Sequence, residues 1–127
     1  MENKIKELKL KVNNLMTKDH CNYFIEFFEN YSIKSREETS YKHIEKKELK
    51  DNFKSICLNE LAFNDEKFLQ PLELAYSYIR KMMFNYEKHL QKNICPTYDL
   101  KNINFTKNIR ILRYEKGQYI KDHSDVG

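Results

Sequence analysis

From about Phe68 to Gln91, the residues Leu72, Ala75, Tyr76, Ile79, Met83, Tyr86 and Leu90 hold one stripe at the 3.6-residue helical period. No other stretch of this chain constrains its fold as strongly. A helix of that length buries its apolar stripe only against a second layer of structure. Pro71 falls in its first turn, where a missing N–H costs little. The partner layer is expected from strand-like runs at the two ends. Leu8, Leu10 and Val12 alternate with Lys9 and Lys11, the pattern of a half-buried strand. Asn108 to Tyr114 is the second such run, and Gly117 beyond it supplies the positive φ that a tight turn requires.

Between these anchors the pattern is uneven. Asn13-Asn14 breaks the first strand, Thr17 is a cap residue, and Asp19 sits where a negative charge suits a helix dipole. Cys21, Phe24, Ile25 and Phe28 follow at i, i+3, i+4 and i+7, which predicts a helix with one aromatic face. Residues 32 to 50 are polar and aperiodic, and predict a surface loop with some helix. Leu49, Phe53, Ile56, Cys57 and Leu61 fit a helical face, yet Ser55 to Leu58 fits a buried strand equally well. Asn93 to Asn104, with Pro96 and Asp99, predicts a connecting loop.

Composition narrows the class of function. The net charge of +4 comes from 23 basic residues interleaved with 19 acidic ones, with no long block of one sign, so a nucleic-acid groove is not expected. Three cysteines, far apart and without a Cys-x-x-Cys pair, indicate reduced thiols in a cytosol-like compartment. The first residues lack the apolar core of a signal peptide, and no segment approaches the length of a membrane span. A soluble, cytoplasmic protein without nucleic-acid or membrane partners is therefore expected.

The residues that look built for chemistry are the last ones, Arg113-Tyr114-Glu115-Lys116-Gly117-Gln118-Tyr119-Ile120-Lys121-Asp122-His123-Ser124-Asp125. On an extended strand His123 and Asp125 project to one face and can reach one metal ion. An imidazole plus a carboxylate is two-thirds of the facial triad that holds iron(II) and leaves its other side open. A His-x-Asp pair alone is weak, so its setting matters.

In that setting the chain resembles the iron(II)- and 2-oxoglutarate-dependent oxygenases of the prolyl 4-hydroxylase-like group. Their first metal-binding hairpin reads roughly Arg-Tyr, two variable residues, Gly-Gln, a short aromatic stretch and His-x-Asp. Arg113-Tyr114, Gly117-Gln118, Tyr119 and His123-x-Asp125 match in residue and spacing. Ile120 departs from the aromatic that the family often carries three residues before the His. The resemblance implies that His123 and Asp125 are the first two iron ligands and that Tyr114 hydrogen-bonds 2-oxoglutarate.

It also implies an α+β fold, with N-terminal helices packed on the first strands of an incomplete double-stranded β-helix (jelly roll). Residues 1–127 then form a single domain, the N-terminal portion of a catalytic domain, with helical support over about 1–104 and the metal-binding hairpin over about 105–127. The implied cofactors are iron(II) and 2-oxoglutarate, with ascorbate a further candidate. O2 and 2-oxoglutarate are the implied reaction partners, and a prolyl or other peptidyl or small-molecule substrate is hydroxylated at a C–H bond. Catalysis is expected to be incomplete in this chain, because the family's distal His and its 2-oxoglutarate-binding Arg or Lys lie tens of residues beyond the His-x-Asp.

Plainer readings stand beside each of these. Tyr114 also suits an ordinary strand aromatic. His20, near a helix start, His43, in a polar stretch, and His89, near a helix end, suit surface or capping roles. Asp122 suits a solvated edge charge, and Met82 and Met83 suit core filling. Within metal chemistry a zinc site is the rival, though the scattered histidines form no second cluster. The alternative function is a non-catalytic binding or interaction domain with a vestigial metal hairpin.

Overall fold

The computed structural model describes residues 8–39, 52–101 and 108–118. Helix α1 (Lys18–Asn30) starts as the sequence predicts: Thr17 is the N-cap, its hydroxyl accepts the His20 N–H at 3.2 Å, and Asp19 lies in the first turn. The buried face is rotated from the expected one. Phe27 and Phe28 are buried while Cys21 is exposed and Ile25 is 61% exposed. Large rings decide the matter, because Phe27 packs against Tyr31 and Phe68, with ring centroids 4.9 and 6.0 Å apart.

Strand β1 (Arg36–Thr39) follows, in a stretch whose composition predicts a loop. Its Arg-Glu-Glu-Thr sequence has no apolar alternation, as suits a strand that among the described residues lies at the sheet edge, paired with β2 (Asn52–Cys57) alone. The stretch that fits helix and strand equally well is both in succession: β2 passes directly into α2 (Leu58–Asn64). Phe53, Ser55 and Ile56 are all buried, so β2 carries buried residues on both faces and the alternation that marks a half-buried strand is lost. The start of α2 and the entry to β3 (Arg110–Arg113) are clamped together. The Leu58 N–H donates to the Ile109 carbonyl at 2.8 Å, and the Ile109 N–H donates to Asn59 Oδ1 at 2.7 Å.

A short 3₁₀ turn (Glu66–Phe68), whose Lys67 N–H is accepted by the Asp65 carboxylate, leads into α3 (Leu69–Asn93). This is the long helix of the sequence analysis, and Pro71 does lie in its first turn, buried. Only its N-terminal half reaches the core beneath the sheet, through Leu72, Ala75, Tyr76 and Ile79. The C-terminal half buries Leu90, and its Glu87 carboxylate accepts the N–H of buried Leu100 at 3.0 Å. Residues 94–101 have no regular secondary structure, as Pro96 and Asp99 suggest.

The expected strand at Leu8–Val12 is absent. Residues 8–17 instead run beside α3, where the Tyr86 hydroxyl donates to the Leu8 carbonyl at 2.6 Å and the Tyr78 hydroxyl accepts the Thr17 N–H at 3.4 Å. Helix tyrosines thus supply partners that a neighbouring strand would otherwise provide. Asn14 takes φ +57°, a left-handed conformation that Asn tolerates better than most residues.

The sheet is antiparallel in the order β1-β2-β3, with Ser55 opposite both Arg36 and Leu112, and Ile56 opposite Ile111. The region expected to be helical support therefore also contributes β1 and β2. One core joins Ile56, Ile109 and Leu58 to Phe27 and Phe28 of α1, Phe68 and Leu72. Among the described residues the fold is a mixed α+β arrangement of helices on this small sheet.

Candidate functional site

Strand β3 carries the start of the sequence motif, and its alternation separates the motif's first two residues. Ile111 and Arg113 face α1. The Arg113 guanidinium lies 5.7 Å from the Phe28 ring centroid and pairs with Glu29 at 3.1 Å and Glu115 at 2.8 Å. Arg113 is thus a brace between the end of β3, α1 and the following turn. Tyr114, one position on, belongs to the opposite face with Arg110 and Leu112.

On that face Tyr114 stacks on Phe53, with centroids 4.8 Å apart and planes inclined by 22°. Phe53 is 5% exposed and Tyr114 40%, so a buried ring forms a platform and the tyrosine is displayed on it. The count agrees with the sheet register, since Tyr114 lies one step beyond the Lys54–Arg113 pair. Further along the same face, Arg110 donates to both carboxylate oxygens of Glu38, at 2.8 and 2.9 Å. Arg36 pairs with Glu60 nearby, and the Cys57 thiol donates to Asn108 Oδ1 at 3.2 Å. Ser55, 2% exposed, lies between these groups and lines a polar cleft of about 210 Å³ with them.

After Tyr114 the chain turns. The Gln118 N–H donates to the Glu115 carbonyl at 2.9 Å, and the Gln118 side-chain carbonyl accepts the Glu115 N–H at 2.7 Å. Gly117, at the third position of this turn, has φ +87°. That is the conformation a type II turn demands there, and glycine meets it without strain. A Cβ on Gly117 would find nothing within 4 Å, so the requirement comes from the backbone and not from crowding.

The structure places Tyr114 as described. The two expected metal ligands, His123 and Asp125, lie outside the described residues, as do Tyr119, Ile120, Asp122 and His43. His20 and His89 are far from the β3 turn in their contacts. His20 Nδ1 hydrogen-bonds the Tyr78 hydroxyl at 2.5 Å, and His89 stacks near Tyr86 and hydrogen-bonds Asn93. Among the described residues, no three His, Cys, Asp or Glu side chains are grouped to hold a metal ion. Among them, too, no helix is long and apolar enough to cross a membrane. The Cys95 thiol is held below its ordinary pKa by hydrogen bonds from the Thr97 hydroxyl and backbone N–H, far from this face.

Two components of the face were not singled out from the sequence. Phe53 sits in the stretch that fitted helix and strand alike, and its role depends on a pairing across about sixty positions that no local pattern encodes. The Arg110–Glu38 pair spans a similar gap. On the other side of β3, Phe24, Ile25 and Phe28 of α1 border an apolar groove of about 380 Å³, rimmed by Leu112 and Tyr114. The chain matches no family model, no curated protein and no solved structure.

Proposed function

We propose that this chain belongs to an iron(II)- and 2-oxoglutarate-dependent oxygenase of the prolyl 4-hydroxylase-like kind, its sheet serving as strands of a jelly roll with their supporting helices. Its reaction would be hydroxylation of a C–H bond in a prolyl, other peptidyl or small-molecule substrate. One observation carries the reading: a strand ends at Arg113 with Tyr114 next, Gly117 forms the turn after it, and His123-x-Asp125 follows in the sequence at the motif's spacing.

The donor set fits the metal. Imidazole nitrogen and carboxylate oxygen are borderline-to-hard ligands suited to iron(II), and two protein ligands of this kind leave positions for a chelating oxo acid. Parity supports the fit. If the chain returned antiparallel along β3 from the Glu115–Gln118 bond, His123 and Asp125 would share the parity of the face that displays Tyr114. The reading requires the chain to return along β3 in this register. When bound, iron(II) with 2-oxoglutarate supplies oxygen activation coupled to decarboxylation of the oxo acid.

The chain's own residues then have separate tasks. His123 and Asp125 would hold the metal, and the Tyr114 hydroxyl would donate to a 2-oxoglutarate carboxylate. Phe53 fixes the plane of the Tyr114 ring, which limits the arc its hydroxyl can sweep. Arg113, committed to Glu29 and Glu115 on the other face, positions the strand and does not meet the oxo acid.

The test is anaerobic titration with iron(II), repeated for His123→Ala and Asp125→Ala. Wild type is expected to bind weakly and both variants to lose binding. Equal affinity in all three proteins would remove the metal site.

A second reading, a non-catalytic interaction domain, is favoured by the apolar groove beside β3, where Ile25 is 61% and Leu112 43% exposed. It predicts a melting temperature indifferent to iron(II) and 2-oxoglutarate.

A further inference from the structure

On the far side of α1 from β3 lies a cleft of about 240 Å³, walled by Tyr23, Phe27, Tyr31 and Phe68, with Glu26 at its edge. The rings are set edge against face: Tyr31 and Phe68 have centroids 5.0 Å apart at 79°, and Phe27 and Phe68 lie 6.0 Å apart at 86°. Such an arrangement turns ring faces, the negative part of each quadrupole, in several directions. The protein already places a cation there. The Lys67 ammonium lies 5.0 Å from the Phe68 centroid and 5.7 Å from that of Tyr31, and the Lys34 ammonium approaches Phe68 from 5.9 Å.

We propose that this cleft binds a small soluble quaternary ammonium ion, of about the size of choline, which displaces the Lys67 ammonium. Three features carry the inference. The faces of Tyr31 and Phe68 attract positive charge, as their own lysine demonstrates. Lys67 is displaceable, because its side chain is 58% exposed and can swing into solvent while Asp65, 3.7 Å from the ammonium, remains within its reach. A primary ammonium is compact and strongly hydrated, so it gives up more on leaving water than a methylated cation does. A methylated cation also has no N–H to satisfy and loses no hydrogen bond against an aromatic wall. The Glu26 carboxylate adds charge complementarity at the rim. The site is independent of the β3 turn and of the metal reading.

The experiment is an NMR titration of the Tyr23 and Tyr31 ring signals with choline chloride, against sodium chloride at equal ionic strength. Saturable shifts with a Kd of about 1–10 mM are expected for choline alone. Lys67→Gln removes the internal competitor and is expected to tighten binding about 3–10-fold, the reverse of what loss of a merely structural lysine would do. Tyr31→Ala abolishes the response while Tyr31→Phe keeps it, which separates loss of the ring face from loss of the hydroxyl. Shifts that sodium reproduces, or Lys67→Gln binding no tighter than wild type, would overturn the proposal. Co-sedimentation with phosphatidylcholine vesicles without a saturable response to free choline would overturn it equally, by assigning the cleft to a headgroup.

Discussion

On the helix side of the sheet, Ile56 and Ile111 meet Phe27, Phe28 and Leu72 in one apolar core, whereas on the other side Phe53, Ser55 and Cys57 share a face with Arg110, Leu112 and Tyr114. Burial accounts for the centre of the first face, where these apolar side chains exclude water, with Arg113 at its edge paired to Glu29. The second face holds a guanidinium paired to a carboxylate, a buried hydroxyl and a tyrosine displayed on a buried phenylalanine. The same three strands thus divide their labour by parity. One face secures the sheet, and the other displays Tyr114, the described residue on which the proposed oxygenase reading draws.

The largest difference between the two faces is expected in stability. Ile56 is 1% exposed within the core, so Ile56→Ala should cost about 2–5 kcal/mol in urea denaturation. Tyr114→Ala, on the open face, should cost much less. Similar losses for the two would mean that the faces are not energetically distinct.

How much of this division the sequence discloses follows from range. The caps and long periodic elements are local, and were legible: Thr17 with Asp19, the stripe of α3 with Pro71 in its first turn, and the β3 run ending at a glycine turn. Strand β1 was not, because an edge strand needs no apolar alternation and Arg-Glu-Glu-Thr offers none. The Leu8–Val12 alternation misled because this segment lies beside α3, where the Leu8 carbonyl accepts from Tyr86, a partner distant in sequence. Of the candidate site, the turn and Tyr114 were readable from spacing. Phe53 and Glu38 were not, since only the sheet register brings them to Tyr114 and Arg110.

A second prediction concerns the turn that ends the open face. At φ +87°, Gly117→Ala should cost roughly 1–2 kcal/mol from backbone strain alone, because the added Cβ meets no neighbour within 4 Å. The loss should be local. The Gln118 amide, bonded to the Glu115 carbonyl, should exchange with solvent about 5–30-fold faster, while amides of the core helices change little. Unchanged exchange at Gln118 would show that the turn is not held by its glycine.

Tyr114 itself separates stability from function. Removing the ring in Tyr114→Ala should cost about 0.5–1.5 kcal/mol through lost stacking on Phe53. Tyr114→Phe keeps the ring and should leave denaturation unchanged. If the hydroxyl contacts 2-oxoglutarate, the same variant should weaken oxo-acid binding to the metal-loaded protein about tenfold, the worth of one hydrogen bond to a charged group. Loss of stability in Tyr114→Phe, with binding intact, would make the hydroxyl a structural group and leave the open face without its displayed donor.

The smallest effect expected is at the Arg110–Glu38 pair, and it tests whether the open face is solvated or enclosed. The two side chains are 39% and 25% exposed, intermediate between a surface pair and a buried one. A pair left open to solvent contributes about 0.2–1 kcal/mol in a double-mutant cycle and weakens as salt rises. Breaking an enclosed pair by removing one partner costs several times more, because the remaining charge stays buried. Arg110→Ala, Glu38→Ala and the double variant should therefore give a coupling below about 1 kcal/mol that shrinks in 1 M salt. A larger coupling, insensitive to salt, would mean that this face is covered as the helix side is. The two sides of the sheet would then differ in chemistry but not in access.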